Sequence, residues 1–245
     1  MATNGRYGSR AKIAFMLPSS CLAFEQEFLK LTASLDGVIG IPARLLLGYT
    51  DADALTGMNE GIDLAARQLA TTSPDVAIYM CTSGSFKDGQ DGNQAIKDRL
   101  AELVPGARTM TTSEAIVRGI QVFGMKRVVM TTPYDEDLTS REVEFLAHHG
   151  VTVTDFSYLD IEDNLDRGDL PAGEWLRHAK GLDYSDADGF FLSCGNVRTL
   201  DIVDTLEAET GMPVVSSTQA TIWMALRLAG IDDSIPGFGA LMRDH

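Results

Sequence analysis

The chain has 245 residues, a formal net charge of −15 at pH 7, 44% hydrophobic residues and 22% charged residues. These values are typical of a folded domain and argue against a disordered chain. The negative charge argues against a nucleic-acid partner or an anionic membrane surface. No apolar run approaches the roughly 18–20 residues of a membrane helix. The first apolar run is short and closed by Pro18, so we expect a strand there rather than a signal peptide.

Short apolar runs rich in Val, Ile and Phe alternate along the chain with longer segments of helical period. Each run predicts a β-strand, at residues 12–17, 41–47, 76–80, 128–132, 151–156, 189–193 and 213–216. Strands that alternate with helices in this way indicate a parallel α/β sheet covered by helices.

Three helices carry start or stop signals. Residues 111–114 form a capping-box pattern before a helical segment, and residues 139–142 form a second one. The apolar spacing within 198–210 predicts a third helix, which Gly211 ends.

An internal repeat relates the two halves of the chain. The paired segments are 12–20 with 126–134, 75–85 with 188–198, and 107–124 with 212–230. Because the offset is nearly constant, we expect two similar α/β lobes, 1–115 and 116–245, related by a pseudo-two-fold axis. A C-terminal helix from about 217–245 could be exchanged into the N-terminal lobe.

The repeat places Cys81 and Cys194 at equivalent positions, each at the end of an apolar strand. Ligands of parallel α/β sheets bind beyond the carboxyl ends of strands, so both thiols are expected to flank one cleft. A following helix N-terminus would lower a thiol pKa and attract a carboxylate. Either cysteine alone could be an inert core residue, but their equivalence favours a functional pair. Pro18 and Ser19 end the first strand and are expected to line the same cleft.

The sequence contains few other residue patterns that would indicate a disulfide, a metal site or a cofactor. Three cysteines form no disulfide framework or zinc spacing, which predicts reduced thiols and a cytoplasmic protein. The acidic stretch 160–166 lacks the spacing of a calcium loop and predicts a solvated loop. No signature of a metal, pyridoxal phosphate or nicotinamide site is present, so no cofactor is expected.

The two-cysteine, two-lobed plan resembles the aspartate/glutamate racemase superfamily. The motifs CTSGSF, TTPY and LSCGNVRT are most similar to its branch of maleate cis–trans isomerases, arylmalonate decarboxylases and EutA-like proteins. The resemblance covers almost the whole chain. It implies a cofactor-independent isomerase or racemase of a small mono- or dicarboxylate, and a homodimer. Cys81 would be the nucleophile or first base and Cys194 the partner acid/base, with substrate held by Thr82, Ser83, Tyr134, Gly195 and Asn196.

Two departures from the family pattern bear on the reaction. Family decarboxylases lack the first-lobe thiol, so Cys81 favours two-thiol chemistry over decarboxylation. Maleate isomerases typically carry Asn where this chain has Cys21, so an amide that could bind a carboxylate is absent there. Two alternatives stay open: a decarboxylase that uses Cys194 alone as proton donor, and a carboxylate-binding protein without chemistry. Cys21 is either a third pocket thiol or a packed residue.

Overall fold

The computed structural model describes residues 6–245 and contains two parallel β-sheets covered by helices. The strands are β1 (Ala11–Pro18), β2 (Val38–Leu45), β3 (Val76–Tyr79), β4 (Arg108–Thr111), β5 (Arg127–Thr132), β6 (Thr152–Tyr158), β7 (Gly189–Leu192) and β8 (Val214–Ser216). The helices are α1 (Ala23–Thr32), α2 (Ala52–Asn59), α3 (Ile62–Ala70), α4 (Thr82–Phe86), α5 (Gly89–Leu103), α6 (Thr112–Val122), α7 (Glu136–His148), α8 (Asn164–Asp169), α9 (Ala172–Lys180), α10 (Val203–Thr210), α11 (Ser217–Leu228) and α12 (Ala240–Asp244).

The two sheets have the same topology. The first has the strand order β2-β1-β3-β4 and the second β6-β5-β7-β8, with every neighbouring pair parallel. Each strand of one sheet therefore has its counterpart in the other, which confirms the predicted α/β fold of two similar helix-covered parallel sheets.

The burial of each strand explains how clearly its apolar pattern appears in the sequence. The central strands β3 and β7 are buried at every position, because helices cover both faces of the sheets. The edge strand β6 alternates between exposed and half-buried residues. In the first sheet the Phe15 ring of β1 lies 5.1 Å from Phe24 and 5.3 Å from Phe28 of α1, which fixes that helix against the sheet.

Helix α11 packs mainly against α6, its counterpart in the repeat, and also contacts α12 and the first sheet. A Cβ atom added to Gly119 of α6 would lie 3.3 Å from a Val215 methyl group and 3.4 Å from Ala220 Cβ. This close approach joins the two halves of the chain through one apolar cluster. The assignment of the C-terminal helix to one lobe stays a prediction.

Several predicted boundaries differ from the structure. The strand β4, with sequence RTMT, was not predicted because it is short and polar. The predicted start of a helix at residues 139–142 is wrong, since α7 begins at Glu136 and the Asp135 side chain accepts from the Leu138 N–H. The helix predicted within 198–210 begins only at Val203.

The helix start predicted at residues 111–114 is correct, but the reciprocal Glu114 bond of a capping box is not found among residues 6–245. The Thr111 hydroxyl accepts from the Glu114 N–H at the start of α6. Within the described part of the chain, no helix is long and apolar enough to cross a membrane.

Candidate active site

Loops at the carboxyl ends of both sheets enclose one small cavity. Its volume is about 20 Å³, on a scale on which one water molecule needs roughly 10–15 Å³, so the ligand-free cavity is nearly closed. The wall is formed by Pro18, Cys21, Leu47, Thr50, Met80, Cys81, Thr82, Ser83, Tyr134, Asn164, Arg167, Cys194, Gly195 and Asn196. Strands β1, β3, β5 and β7 are the central strands of their sheets, where a change of connection direction opens a crevice.

Cys81 lies between β3 and α4 and caps that short helix. Its Sγ accepts from the Gly84 N–H at 3.4 Å and lies 3.9 Å from the Ser83 hydroxyl. Burial raises the pKa of the Cys81 thiol to about 11, and these two hydrogen bonds act in the opposite direction. The thiol is therefore protonated in the ligand-free pocket at neutral pH.

Cys194 has an unusual backbone. Its φ angle is +87°, in the left-handed region that a residue with a Cβ atom rarely adopts, and such strain is concentrated at functional sites. The Cys194 N–H donates to Ser217 Oγ at 3.0 Å, and its Sγ accepts from the Asn196 N–H at 3.4 Å. Burial raises the pKa of Cys194, while the Arg167 guanidinium is the largest influence that lowers it.

The expectation that helix N-termini make both thiols acidic is wrong for the ligand-free protein. A helix starts directly after Cys81, but its effect is smaller than the cost of burying a thiolate. A turn follows Cys194, and α10 begins only at Val203. Charge and hydrogen bonds inside the cavity therefore decide which thiol ionises.

The structure brings together most residues that the sequence singled out. Those on the cavity wall are Pro18, Cys81, Thr82, Ser83, Tyr134, Cys194, Gly195 and Asn196. The Thr82 Oγ1 is buried with no hydrogen-bond partner among the described residues, so it is available to a ligand. Ser19 is absent from the wall, because its hydroxyl accepts from the Leu47 N–H and donates to the Leu47 carbonyl oxygen.

The Asn196 side chain makes its hydrogen bonds to the protein. Its Oδ1 accepts from the Leu22 and Ala23 N–H groups at the start of α1, at 3.0 and 3.1 Å. Its Nδ2 donates to the Asn164 carbonyl oxygen at 2.5 Å. The Asn196 amide therefore joins the first half of the chain to the second beside the thiols.

Cys21 is a third thiol on the same wall. It is buried, and its Sγ–H donates to the Gly195 carbonyl oxygen at 3.7 Å. Burial raises the pKa of the Cys21 thiol well above its ordinary range, and a hydrogen bond with the Phe24 backbone acts in the opposite direction. Cys21 thus lies on the cavity wall and is also packed in the apolar cluster of the first sheet, and its role stays a prediction.

Sequence reasoning missed five wall residues, of which two come from the loop after β2 and two from helix α8, which follows β6. Leu47 and Thr50 follow β2, and Asn164 and Arg167 follow β6 with the same spacing. The acidic side chains of the stretch 160–166 are exposed or half-buried as expected, but Asn164 in its midst is buried. At the repeat offset of 126 − 12 = 114 residues, Thr50 aligns with Asn164, but Leu47 and Arg167 align with no wall residue, so the repeat does not reveal the set. The fifth residue, Met80, precedes Cys81.

Duplicated parallel sheets with one thiol from each half on a shared cavity define a member of the aspartate/glutamate racemase-like superfamily. The sequence profile of the arylmalonate decarboxylase family matches residues 42–242. The chain belongs to this family.

Relatives with known activities fall into two groups. The maleate isomerase of Nocardia farcinica is 27% identical over 239 residues, which cover 95% of each chain. The arylmalonate decarboxylase of Bordetella bronchiseptica is 33% identical over 204 residues, 82% of this chain and 85% of that protein. A structure of the Nocardia farcinica maleate cis–trans isomerase, a cysteine-to-serine mutant with a covalently bound succinylcysteine intermediate, matches with a TM-score of 0.92 and 26% identity. That match covers 96% of this chain and 99% of the isomerase.

Proposed function

We propose that the protein is a cofactor-independent isomerase of the maleate isomerase type, which acts on a small carboxylate with Cys81 and Cys194. The observation that carries this proposal is the placement of two thiols, equivalent under the repeat, on the wall of one small cavity. The relationship to an isomerase with a succinylcysteine intermediate supports addition of a cysteine to a carbon–carbon double bond.

The proposed reaction begins when the Cys81 thiol releases its proton to solvent as substrate binds, which leaves the Cys81 thiolate beside the Cys194 thiol. The Cys81 sulfur forms a bond to one alkene carbon while Cys194 delivers its proton to the neighbouring carbon, leaving a Cys194 thiolate. The former double bond is now a single bond and rotates. Cys194 then removes a proton from the carbon it protonated, the carbon–sulfur bond breaks, and the trans alkene leaves. This restores the Cys81 thiolate and the Cys194 thiol.

The first carboxylate of the substrate would bind at the start of α4. The Thr82 hydroxyl has no hydrogen-bond partner among residues 6–245, and Ser83 lies beside it on the wall. The Tyr134 ring packs against Phe86 with a centroid separation of 5.9 Å, which holds the phenol in place at the cavity. Hydroxyl donors in a buried site stabilise a carboxylate whose negative charge increases as the thiolate adds.

The test is turnover by Cys81→Ala and Cys194→Ala variants with maleate and related unsaturated or α-substituted carboxylates in deuterated water. Each variant is expected to lose activity by orders of magnitude while its circular dichroism stays native. Deuterium incorporation at carbon in the wild-type enzyme would report proton transfer even without net conversion. Near-wild-type rates in both variants on a substrate that the enzyme converts would contradict the proposal.

Decarboxylation of a disubstituted malonate is the second candidate, because the Bordetella bronchiseptica decarboxylase is 33% identical. In that reaction Cys194 alone would protonate the carbanion formed when carbon dioxide leaves. The presence of Cys81 argues against it, since this second thiol lies on the cavity wall and the decarboxylation does not use it. Release of carbon dioxide from aryl malonates by a Cys81→Ala variant would establish this candidate.

A further inference from the structure

We propose that Glu27 and Glu142 are positioning residues for the reaction, which hold the segment 193–200 at its two ends as neutral carboxyl groups and so fix Cys194 in its strained conformation. This inference rests on the proposed function, because it gives both carboxyl groups a role through the thiol that transfers the proton. Neither glutamate belongs to the cavity wall, so an effect on the reaction has to pass through Cys194.

The two glutamates occupy equivalent places in the two halves of the chain. They lie 142 − 27 = 115 residues apart, close to the offset of 126 − 12 = 114 residues between the repeated segments. The buried faces of the two helices have the same spacing around them, with Ala23, Phe24, Glu27 and Leu31 in α1 and Leu138, Thr139, Glu142 and Leu146 in α7. A glutamate is rarely fully buried, so its recurrence at equivalent sites indicates a shared role.

Both carboxyl groups bind the segment that carries Cys194. On α7, both Glu142 oxygens lie within hydrogen-bond distance of the Ser193 hydroxyl, at 2.7 and 2.8 Å, directly before the cysteine. On α1, Glu27 Oε1 accepts from the Leu200 N–H at 2.9 Å. All four of these residues are buried. One helix from each half of the chain therefore holds one end of the segment.

The segment 193–200 depends on such side-chain contacts. It contains no helix or strand, so its backbone has no regular ladder of hydrogen bonds. The φ angle of +87° at Cys194 persists only where the surrounding structure holds it in place. Release of either end would let the backbone relax and move the Cys194 sulfur. A displacement of about 1 Å at a reacting group can lower a rate about 100-fold.

The charge of Glu142 provides a second influence on Cys194. Burial raises the pKa of Glu142 to about 8, so the carboxyl group is neutral at pH 7. The titratable groups that it faces are the Cys194 thiol and the Tyr134 phenol. Burial raises the pKa of both, and a negative charge on Glu142 raises them further. Ionisation of Glu142 would therefore oppose the Cys194 thiolate that forms during the addition.

Glu27 acts on the other end of the segment through its hydrogen bond. Burial raises its pKa to about 8 as well, and the negative charge of Asp201 acts in the same direction. Asp201 itself pairs with Lys30 and Arg198 near the surface. Glu27 thus holds the Leu200 N–H as a neutral group at pH 7, as Glu142 holds the Ser193 hydroxyl.

Labelling of the thiols by iodoacetamide at pH 8 tests the inference without substrate. In Glu142→Leu and Glu27→Leu the rate at Cys194 should rise at least about fivefold, because a released segment exposes its thiol, while the rate at Cys81 changes by less than about twofold. Glu142→Gln and Glu27→Gln keep an acceptor oxygen and should restore the wild-type ratio of the two rates. An unchanged rate at Cys194, or equal increases at both thiols, would overturn the proposal.

The matched control is Glu144→Leu, because Glu144 is exposed on the same helix as Glu142. This variant should keep the wild-type labelling rates at both thiols. A change at Cys194 as large as that in Glu142→Leu would contradict the assignment to the buried carboxyl group.

Turnover of a substrate that the wild-type enzyme converts gives a second measurement. Glu142→Leu should lower kcat about 100-fold and change KM by less than about threefold, because the cavity wall keeps its residues. The ratio of kcat in Glu142→Gln to kcat in wild type should increase above pH 8, since only the wild type gains a negative charge near Cys194. This ratio decides the outcome even if the leucine variants do not fold. A constant ratio between pH 6 and pH 9 would contradict the proposal.

Failure of this inference and failure of the proposed function give different results. If both cysteine variants stay active while the leucine variants change labelling at Cys194 alone, the positioning role stands and the two-thiol reaction falls. If the cysteine variants are inactive and the glutamate variants label and turn over like wild type, the reaction stands and the positioning role falls.

Discussion

The Ser193 hydroxyl lies within hydrogen-bond distance of both carboxylate oxygens of Glu142, at 2.7 and 2.8 Å. Glu142 is on α7 and 2% exposed, and Ser193 immediately precedes Cys194. Burial raises the pKa of Glu142 to about 8, and the hydrogen bond from Ser193 opposes that shift. A neutral carboxyl group therefore supports the backbone behind the strained cysteine.

Stability should fall as pH rises between about 4.5 and 8. In this range the folded Glu142 keeps a proton that the unfolded chain releases, so raising the pH favours unfolding by roughly 1.4 kcal/mol per pH unit for one such group. Glu27, whose pKa burial also raises to about 8, adds in the same direction. Glu142→Gln keeps the bond from Ser193 and should make the dependence shallower. Urea unfolding at pH 5 and pH 8 measures the free energy of unfolding at both ends of this range.

The control for this prediction is Glu174→Gln, because Glu174 is half-exposed and pairs with Arg177 on the surface. This variant should retain the wild-type pH dependence. The explanation by Glu142 would be wrong if Glu142→Gln and wild type lost the same free energy of unfolding between the two pH values.

Alkylation of the thiols should depend on pH differently at each cysteine. The rate at Cys81 should still be rising above pH 9, since its pKa is about 11 in the ligand-free pocket. Cys194 should reach its maximal rate at lower pH, because Arg167 and the Asn196 N–H stabilise its thiolate. Iodoacetamide labelling followed by peptide mass spectrometry resolves the two sites. A plateau for Cys81 below pH 8 would show that burial does not control its ionisation.

Replacement of Asn196 should affect stability as well as activity. Asn196→Ala removes the acceptor for Leu22 and Ala23 N–H groups and the donor to Asn164, which should cost about 1–3 kcal/mol. Asn196→Asp keeps the acceptor but places a second oxygen against the Asn164 carbonyl, so it should recover only part of the loss. Thermal unfolding measures the stability of both variants. Wild-type stability in Asn196→Ala would leave substrate binding as the role of this amide.

Gly84 should not tolerate a side chain. A Cβ atom there would collide with the buried Tyr79 hydroxyl and lie 3.1 Å from Cys81 Sγ. Gly84→Ala should therefore lower turnover and cost about 1–3 kcal/mol of stability. The matched control is Gly173→Ala in α9, where a Cβ atom meets nothing within 4 Å and should stabilise by about 0.5–1 kcal/mol. Full activity in Gly84→Ala would mean that the Cys81 turn adjusts freely.

Strong periodic signals were predicted well, and weak ones were not. The central strands β3 and β7 are continuous apolar runs, because both faces of each sheet are covered. The strand β4 escaped prediction because four residues with two threonines and an arginine carry no apolar run. The start of α7 was misplaced because Thr139 imitates a cap, while Asp135 four residues earlier makes the actual bond.

Prediction of the cavity residues from local sequence patterns has the same limit. Cys81 and Cys194 could be paired from sequence because the internal repeat aligns them, and the family motifs added Thr82, Ser83 and Tyr134. Ser19 was expected on the wall, but its hydroxyl binds the Leu47 backbone in the neighbouring loop. A contact of this kind depends on how two loops approach each other, which residue patterns do not specify.

The amino-acid sequence by itself determined the duplicated α/β architecture and the two equivalent cysteines, because burial and periodicity leave local patterns that repeat along the chain. Only the tertiary structure decided the polarity of the cavity. It placed Arg167, Thr50 and Asn164 beside the thiols through the contact between the loops after β2 and β6. It also showed that burial raises the thiol pKa values, since desolvation depends on every atom that surrounds a group and not on its neighbours in sequence.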